Sequence, residues 1–182
     1  MLGVIPAAGA SARMRAPKGM LRIGGEPLVH LQCRALLARC AEVVVVVGWA
    51  ASALARELPP GARAVRAEAW WRQRQADSLR LALTGEETAL LVQPVDVPPP
   101  SLAVLDALLA AGVDAVPCWR GQPGHPVLLR GESIRRLARA SPEGGLRALL
   151  RDAARVPVGD ERVLWNLNRP ADLVRWLREV SG

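Results

Sequence analysis

Lysine occurs once in this chain, at position 18, among 24 lysine and arginine residues. It closes the segment Pro6-Ala7-Ala8-Gly9-Ala10-Ser11-Ala12-Arg13-Met14-Arg15-Ala16-Pro17-Lys18, which follows an apolar run at the amino terminus. Lysine carries a compact charge on a flexible stem, so arginine does not replace it freely where a point charge must reach a phosphate. Small residues at Ala7, Ala8, Gly9 and Ala10 let backbone N–H groups approach a phosphate chain, and Arg13 and Lys18 supply charge to it. The same composition serves an ordinary tight turn from strand to helix. Neither a Walker loop nor a dinucleotide fingerprint is present.

A second candidate is Asp96, at the end of the run Leu91-Val92-Gln93-Pro94-Val95-Asp96. A carboxylate at the carboxyl edge of a sheet suits a hard cation such as Mg²⁺, which keeps waters and takes few protein oxygens. An acid favoured by a following helix dipole is the competing role. The two histidines differ in setting: His30 lies in an apolar helical pattern and reads as core, and His125 stands alone between Gly124 and Pro126. With no tyrosine and no Ser-His-Asp or Cys-His arrangement, the chain offers little for nucleophilic or general acid chemistry by side chains.

Composition narrows the partners. The net charge of +7 is spread as arginines along helices and loops without a polybasic block, which favours a polyphosphate ligand over nucleic acid. Six tryptophans with no phenylalanine or tyrosine leave few base-stacking platforms. Cys33 and Cys40 sit a heptad apart and Cys118 is isolated, which reads as packing in a reducing cytosol rather than metal binding. No apolar stretch approaches the ~20 residues of a membrane span. Met1 leads straight into a strand without a signal peptide, so a cytoplasmic protein is expected.

The elements that must position these residues alternate between apolar runs and helical periodicities. Strands are expected over 2–5, 43–47, 63–67, 89–95, 114–117 and 126–129. Helices are expected over 27–37, 51–58, 77–83, 132–138, 145–153 and 171–180, with another from an N-cap at Ser101 through Leu109. Asp77 or Ser78 would cap the start of the third of these. The pattern implies a three-layer α/β/α fold with a mainly parallel mixed sheet, in one domain covering 1–182. Ligands in such folds bind beyond the carboxyl ends of the strands, where both the Gly9 loop and Asp96 fall.

The string A-A-G-x-S-x-R-M-x-x-P-K, followed by Leu21-Arg22-Ile23-Gly24-Gly25-Glu26-Pro27-Leu28, resembles the signature of the molybdopterin-nucleotidyltransferase-like family. Members include molybdenum-cofactor cytidylyltransferases and guanylyltransferases, and the cytidylyltransferase of the non-mevalonate isoprenoid pathway. The resemblance implies a Rossmann-like nucleotidyltransferase fold and a nucleotide held by Ala7, Ala8, Gly9, Ala10 and Ser11, with Arg13 and Lys18 catalytic. Leu91 to Pro98 resembles the segment whose Asp, here Asp96, holds Mg²⁺. Asn166-Leu167-Asn168-Arg169-Pro170-Ala171-Asp172-Leu173 resembles the closing segment, making Asn168 a second ligand on the metal side. An Asn there lowers the charge at the cation, so binding would lean on the nucleotide's own phosphates. Asp77-Ser78-Leu79 resembles a nucleotide-sensing turn, Gly124-His125-Pro126 the acceptor side, and Glu143 an acidic loop near the acceptor. The family usually has Gly where this chain has Arg15, and a Gly upstream of Ser78 where this chain has Arg or Gln.

The implied reaction transfers a nucleoside monophosphate from an NTP to a phosphate-bearing acceptor, releasing pyrophosphate. The Ala7-Ala8-Gly9 version leans towards CTP over GTP, and Gly124-His125-Pro126 towards molybdopterin as acceptor. A methylerythritol phosphate or sugar phosphate is the runner-up acceptor. A non-catalytic nucleotide-binding partner of a molybdoenzyme is a different class of role that Arg15 would suit.

Overall fold

The computed structural model describes residues 1–9, 17–72, 75–140 and 143–180. Strand β1 (Leu2–Ala7) precedes the hairpin strands β2 (Arg22–Ile23) and β3 (Glu26–Pro27), then helix α1 (Leu28–Leu37), strand β4 (Glu42–Val47) and helix α2 (Ala51–Arg56). Next come β5 (Ala62–Arg66), α3 (Gln75–Arg80), β6 (Ala89–Val92), α4 (Leu102–Ala110), β7 (Ala115–Trp119) and β8 (Gln122–Pro123). The last described elements are β9 (Val127–Arg130), α5 (Gly131–Arg139), α6 (Leu146–Leu149), β10 (Ala154–Pro157) and α7 (Pro170–Val180).

The run of valines in β4 shows why the sheet lies in the middle. Successive side chains of a strand point to opposite faces, so an all-apolar strand is stable only with both faces covered. Val44 and Val46 enter one core layer with Leu79 of α3, Ile134 and Leu137 of α5 and Leu149 of α6. Val43, Val45 and Val47 enter the other, with Val29, Cys33 and Leu36 of α1, Leu54 of α2 and Leu105 and Leu108 of α4. All three cysteines are free and buried. Burial pushes the Cys33 thiol up to about 12 and Cys40 to about 11, so both behave as packing groups.

Eight strands make one mixed sheet in the order β10-β7-β9-β6-β1-β4-β5, with β8 paired to β7. β1 pairs in parallel with β4 on one side and β6 on the other, while β9 runs antiparallel to both β6 and β7. After β1 the chain moves outward to β4 and β5, then returns to place β6 on the opposite side of β1. The carboxyl ends of β1 and β6 therefore flank a topological switch point, the crevice where open α/β sheets bind ligands.

Several boundaries differ from the sequence expectations. The strand expected over 89–95 stops at Val92. Pro94 has no N–H to give a ladder, and the Val97 N–H turns back to its carbonyl at 3.2 Å, so Asp96 sits in a turn beyond the strand. The helix expected over 145–153 is only Leu146–Leu149, and β10 follows it where no strand was expected. That strand is short, at the sheet edge and alternately exposed, so it lacks the apolar run that marks buried strands. The helix expected over 77–83 is Gln75–Arg80, so Asp77 lies inside the first turn instead of capping it. Ser101 holds the N-cap position of α4 without a side-chain bond to the helix. His30 is not core: it lies on the flank of α1, and its Nδ1–H donates to the Glu57 carbonyl at 3.0 Å.

A third cluster docks α7. Trp176, 3% exposed, packs with Leu167, with Leu28 of α1 and with Ile23 of the β2–β3 hairpin. The hairpin turn uses Gly24 and Gly25 at φ +58° and +91°, the left-handed pair that a two-residue turn requires. Truncating a buried tryptophan costs about 3–5 kcal/mol. Trp176→Ala is expected to strip hydrogen-exchange protection from α7 while β1 and β4 keep theirs. Equal loss in all three would show that α7 unfolds only with the whole sheet.

Candidate active site

Three segments far apart in sequence meet at the Lys18 ammonium. Lys18 opens a short 3-10 turn, Lys18–Met20, after the β1 loop. Its Nζ lies 2.9 Å from Asp96 Oδ2 and 2.5 Å from Asn168 Oδ1. The ion pair is partly buried, with 14% of the Lys18 side chain and 27% of the Asp96 side chain exposed. Lys18 and Asp96 stand on either side of the β1/β6 switch point, and Asn168 closes the group from the segment before α7.

Each member has its own anchor. The Asp96 turn is held from beneath by two fully buried glutamines. Gln32 Nε2 donates to the carbonyls of Val97 at 2.6 Å and Pro94 at 3.1 Å, and Gln93 Nε2 to those of Val97 at 3.1 Å and Pro98 at 3.0 Å. Asp96 in turn accepts the Leu167 N–H at its own carbonyl, at 2.6 Å. Leu167 is fully buried in the α7 cluster, which fixes its neighbour Asn168. Asp172 reaches back to accept from the N–H groups of Asn168 at 3.0 Å and Arg169 at 2.8 Å, as the acid of a capping box does. Gly19, next to Lys18, is closely packed: a Cβ there would lie 2.7 Å from a Leu54 methyl, which would have to shift.

Ala7 and Ala8 are buried at the carboxyl end of β1, and Gly9 is exposed. The Ala8 carbonyl faces Gly48, where a Cβ would come within 2.5 Å of that oxygen and 2.6 Å of Trp70. Trp70 thus backs the loop through a position only glycine can fill. Ala10, Ser11 and Arg13 lie outside the described residues.

His125 stands on the same edge. Its backbone N–H donates to Val163 at 2.9 Å, and a Cβ on Gly124 would collide with that carbonyl at 2.3 Å, so the segment is clamped onto the 3-10 turn Glu161–Leu164. Burial pushes the imidazole below its ordinary value, and the nearby Asp96 carboxylate opposes this without reversing it. His125 lines a cavity of about 290 Å³ with Arg147, Arg151 and Arg155. Exposed Glu143 lines a neighbouring cavity that shares Arg151. Asp77 lines a separate cavity with Arg80, Thr84 and Ala138, and Ser78 is buried. The structure therefore unites Lys18, Asp96 and Asn168, sets His125 beside them, and leaves Asp77 and Glu143 in other cavities.

Gln32 and Gln93 were not anticipated from sequence, although a signal existed. Each is a polar residue within an otherwise apolar run, and such residues are buried only to satisfy other polar groups. Their Oε1 atoms have no partner among the described residues, so the pair is retained at a cost.

The site can hold a cation between a carboxylate and an amide oxygen and can present an ammonium to an anion. No group of three or more His, Cys, Asp or Glu side chains among the described residues could hold a metal. Any ion here would therefore take few ligands from the described residues. Among the described residues no helix is long and apolar enough to cross a membrane.

A family model described as a MobA-like NTP transferase domain matches residues 3–158. No curated protein matches the chain in sequence. Among solved structures, Rv0371c from Mycobacterium tuberculosis H37Rv superimposes with a TM-score of 0.81 at 24% identity, covering 97% of each chain. That protein has also been solved in complex with manganese. The 2-C-methyl-D-erythritol 4-phosphate cytidylyltransferase from Thermus thermophilus gives 0.71 at 23% identity, covering 99% of this chain and 98% of its own. Molybdopterin-guanine dinucleotide biosynthesis protein A from Archaeoglobus fulgidus gives 0.70 at 20%, covering 100% and 99%. At these identities the structural likeness speaks to the fold.

Replacing Gln93 by Leu leaves the carbonyl of Pro98 without its side-chain donor and that of Val97 with Gln32 alone. The expected loss in urea unfolding is about 1–3 kcal/mol, the cost of buried acceptors left unpaired. A change within about 0.5 kcal/mol, ordinary for a surface site, would remove Gln93 from the support of the Asp96 turn.

Proposed function

The chain belongs to the MobA-like NTP transferases, and on that premise we propose that it moves a nucleoside monophosphate from an NTP to a phosphate-bearing acceptor. CMP is preferred to GMP, and the acceptor is a molybdopterin cofactor. The observation that carries this reading is the convergence of Lys18, Asp96 and Asn168 across the switch point. The lean to CMP rests on the Ala7-Ala8-Gly9 form of the loop, and the acceptor on Gly124-His125-Pro126.

The residues fit a bound Mg²⁺. Asp96 and Asn168 already turn their oxygens to one shared cation, the Lys18 ammonium. Two protein oxygens match an ion that draws the rest of its shell from water and phosphates. When bound, it would neutralise charge on the transferring phosphates. Lys18 has a flexible stem, so its ammonium can turn from the two oxygens to a phosphate without backbone movement.

In the transfer, an acceptor phosphate oxygen bonds to the α-phosphorus of the NTP as the bond to the bridging oxygen breaks, and pyrophosphate leaves with that electron pair. A phosphate monoester has its second pKa near ~6, so the nucleophile is already ionised at neutral pH and needs no general base. The described side chains then have two tasks: holding the phosphates in line and stabilising their charge.

Lys18→Ala and Asp96→Ala are each expected to cut pyrophosphate release by about 10²–10³-fold, the scale of losing one charge-stabilising group. Activity like that of the native chain in either variant would remove the assigned role. Binding of CTP without any pyrophosphate release by the native chain would favour a non-catalytic nucleotide binder.

Native-state binding raises the melting temperature by mass action. At a nucleotide concentration about 100-fold above Kd the rise is about 5–10 °C for a chain of this size. Among CTP, GTP, ATP and UTP, each with and without Mg²⁺, CTP with Mg²⁺ is expected to give the largest shift. A larger shift with GTP would reverse the base preference.

A further inference from the structure

The Lys18 ammonium fills the position from which its two oxygen partners would serve a metal ion. Its Nζ is 2.9 Å from Asp96 Oδ2 and 2.5 Å from Asn168 Oδ1. Mg²⁺ takes oxygen ligands at about 2.0–2.1 Å, so an ion shared by these oxygens on that side would press into the ammonium. Two positive centres that close repel strongly where water is partly excluded, and the Lys18 side chain is only 14% exposed. Ammonium and metal are therefore alternatives at this point.

Charge decides between the two. Asp96 brings one negative charge and Asn168 none, and the ammonium balances that charge in full. The other acid of the closing segment, Asp172, turns its Oδ2 to the N–H groups of Asn168 and Arg169. Among the described residues no group of three or more His, Cys, Asp or Glu side chains adds to the pair. A divalent ion that displaced the ammonium would thus leave an excess of positive charge. A polyphosphate reverses the balance, because it offers oxygens to the ion and an anion to the displaced lysine.

Resting on the nucleotidyl-transfer reading above, we infer that Lys18 is a built-in competitor for the cation position. Its ammonium keeps the Asp96 and Asn168 oxygens closed to a divalent metal until the phosphates of a nucleotide draw it away. The site thus accepts a metal together with a nucleotide and turns away the metal alone. A guanidinium would grip the carboxylate as a planar two-pronged pair, whereas a compact ammonium on a flexible stem can let go. That gives the one lysine of an arginine-rich chain a reason to be lysine.

Because lysine occurs once, labelling lysine with ¹⁵N at Nζ gives the full chain a single side-chain ammonium resonance. Mg²⁺ alone is expected to leave that resonance in place, and CTP with Mg²⁺ to shift it. Mn²⁺ alone, followed by the loss of its paramagnetic resonance signal on binding, probes the two oxygens directly. Lys18→Met keeps the stem and drops the charge, and it should bind Mn²⁺ ~10-fold or more tightly than the native chain does. Adding Asp96→Asn to Lys18→Met should abolish that gain. Arg169→Gln removes an exposed charge one position from Asn168 and should change Mn²⁺ affinity by less than about two-fold. A resonance displaced by Mg²⁺ alone, no gain in Lys18→Met, a gain that survives Asp96→Asn, or an equal gain in Arg169→Gln would each overturn the inference. The resonance is read on the native chain, so the test holds even where Lys18→Met does not fold. If Lys18→Met gains affinity while CTP with Mg²⁺ leaves the native resonance unmoved, the nucleotidyl-transfer reading fails and the competition stands.

Discussion

One ammonium group organises the whole carboxyl edge of this sheet. The Lys18 side chain joins the β1 loop, the turn after β6 and the segment before α7, and its partners are 78 and 150 positions away in sequence. Moving a charge towards the protein interior costs several kcal/mol unless an opposite charge and further acceptors meet it. Asp96 supplies the charge and Asn168 the second acceptor. Removing either would leave a half-buried cation short of partners, so the fold has to deliver both oxygens to the same point.

Delivery is achieved by packing and by backbone hydrogen bonds rather than by the ion pair itself. Gln32 and Gln93 pin the carbonyls around Asp96, and Leu167, beside Asn168, sets its side chain in the third hydrophobic cluster and donates its N–H to the Asp96 carbonyl. The cost is visible in two amide oxygens buried without partners. A turn that needed only stability could be replaced by apolar packing at little loss. Its retention here is what a site held to a fixed geometry requires.

Much of the fold was legible because the apolar runs are unusually pure. The valines of β4, the short run in β1 and the helical spacing in α1 leave little choice but a buried parallel sheet with helices on both sides. The site was legible in part for a different reason: Lys18 is the chain's one lysine, and Asp96 follows a strand-like run, so both stand out by type. Asn168 entered only through a motif, since an asparagine before a proline-led helix looks like any cap. What stayed hidden depended on tertiary context. β10 is a short edge strand without an apolar run, the end of β6 was set by Pro94, and Gln32 and Gln93 reveal their partners only when the 94–98 turn folds over them. His30 was misplaced because one residue of phase on a helix decides between core and flank.

The charge balance of the site has a further consequence for how the proposed ligands must arrive. Lys18 and Asp96 cancel, and Asn168 is neutral, so the cluster by itself offers a metal ion almost no net attraction. A hard cation bound through one carboxylate and one amide oxygen gains most of its binding from phosphate oxygens. Under the proposed function, Asp96 and Asn168 would hold a metal that the nucleoside triphosphate brings with it, and Lys18 would turn from those two oxygens to the phosphates.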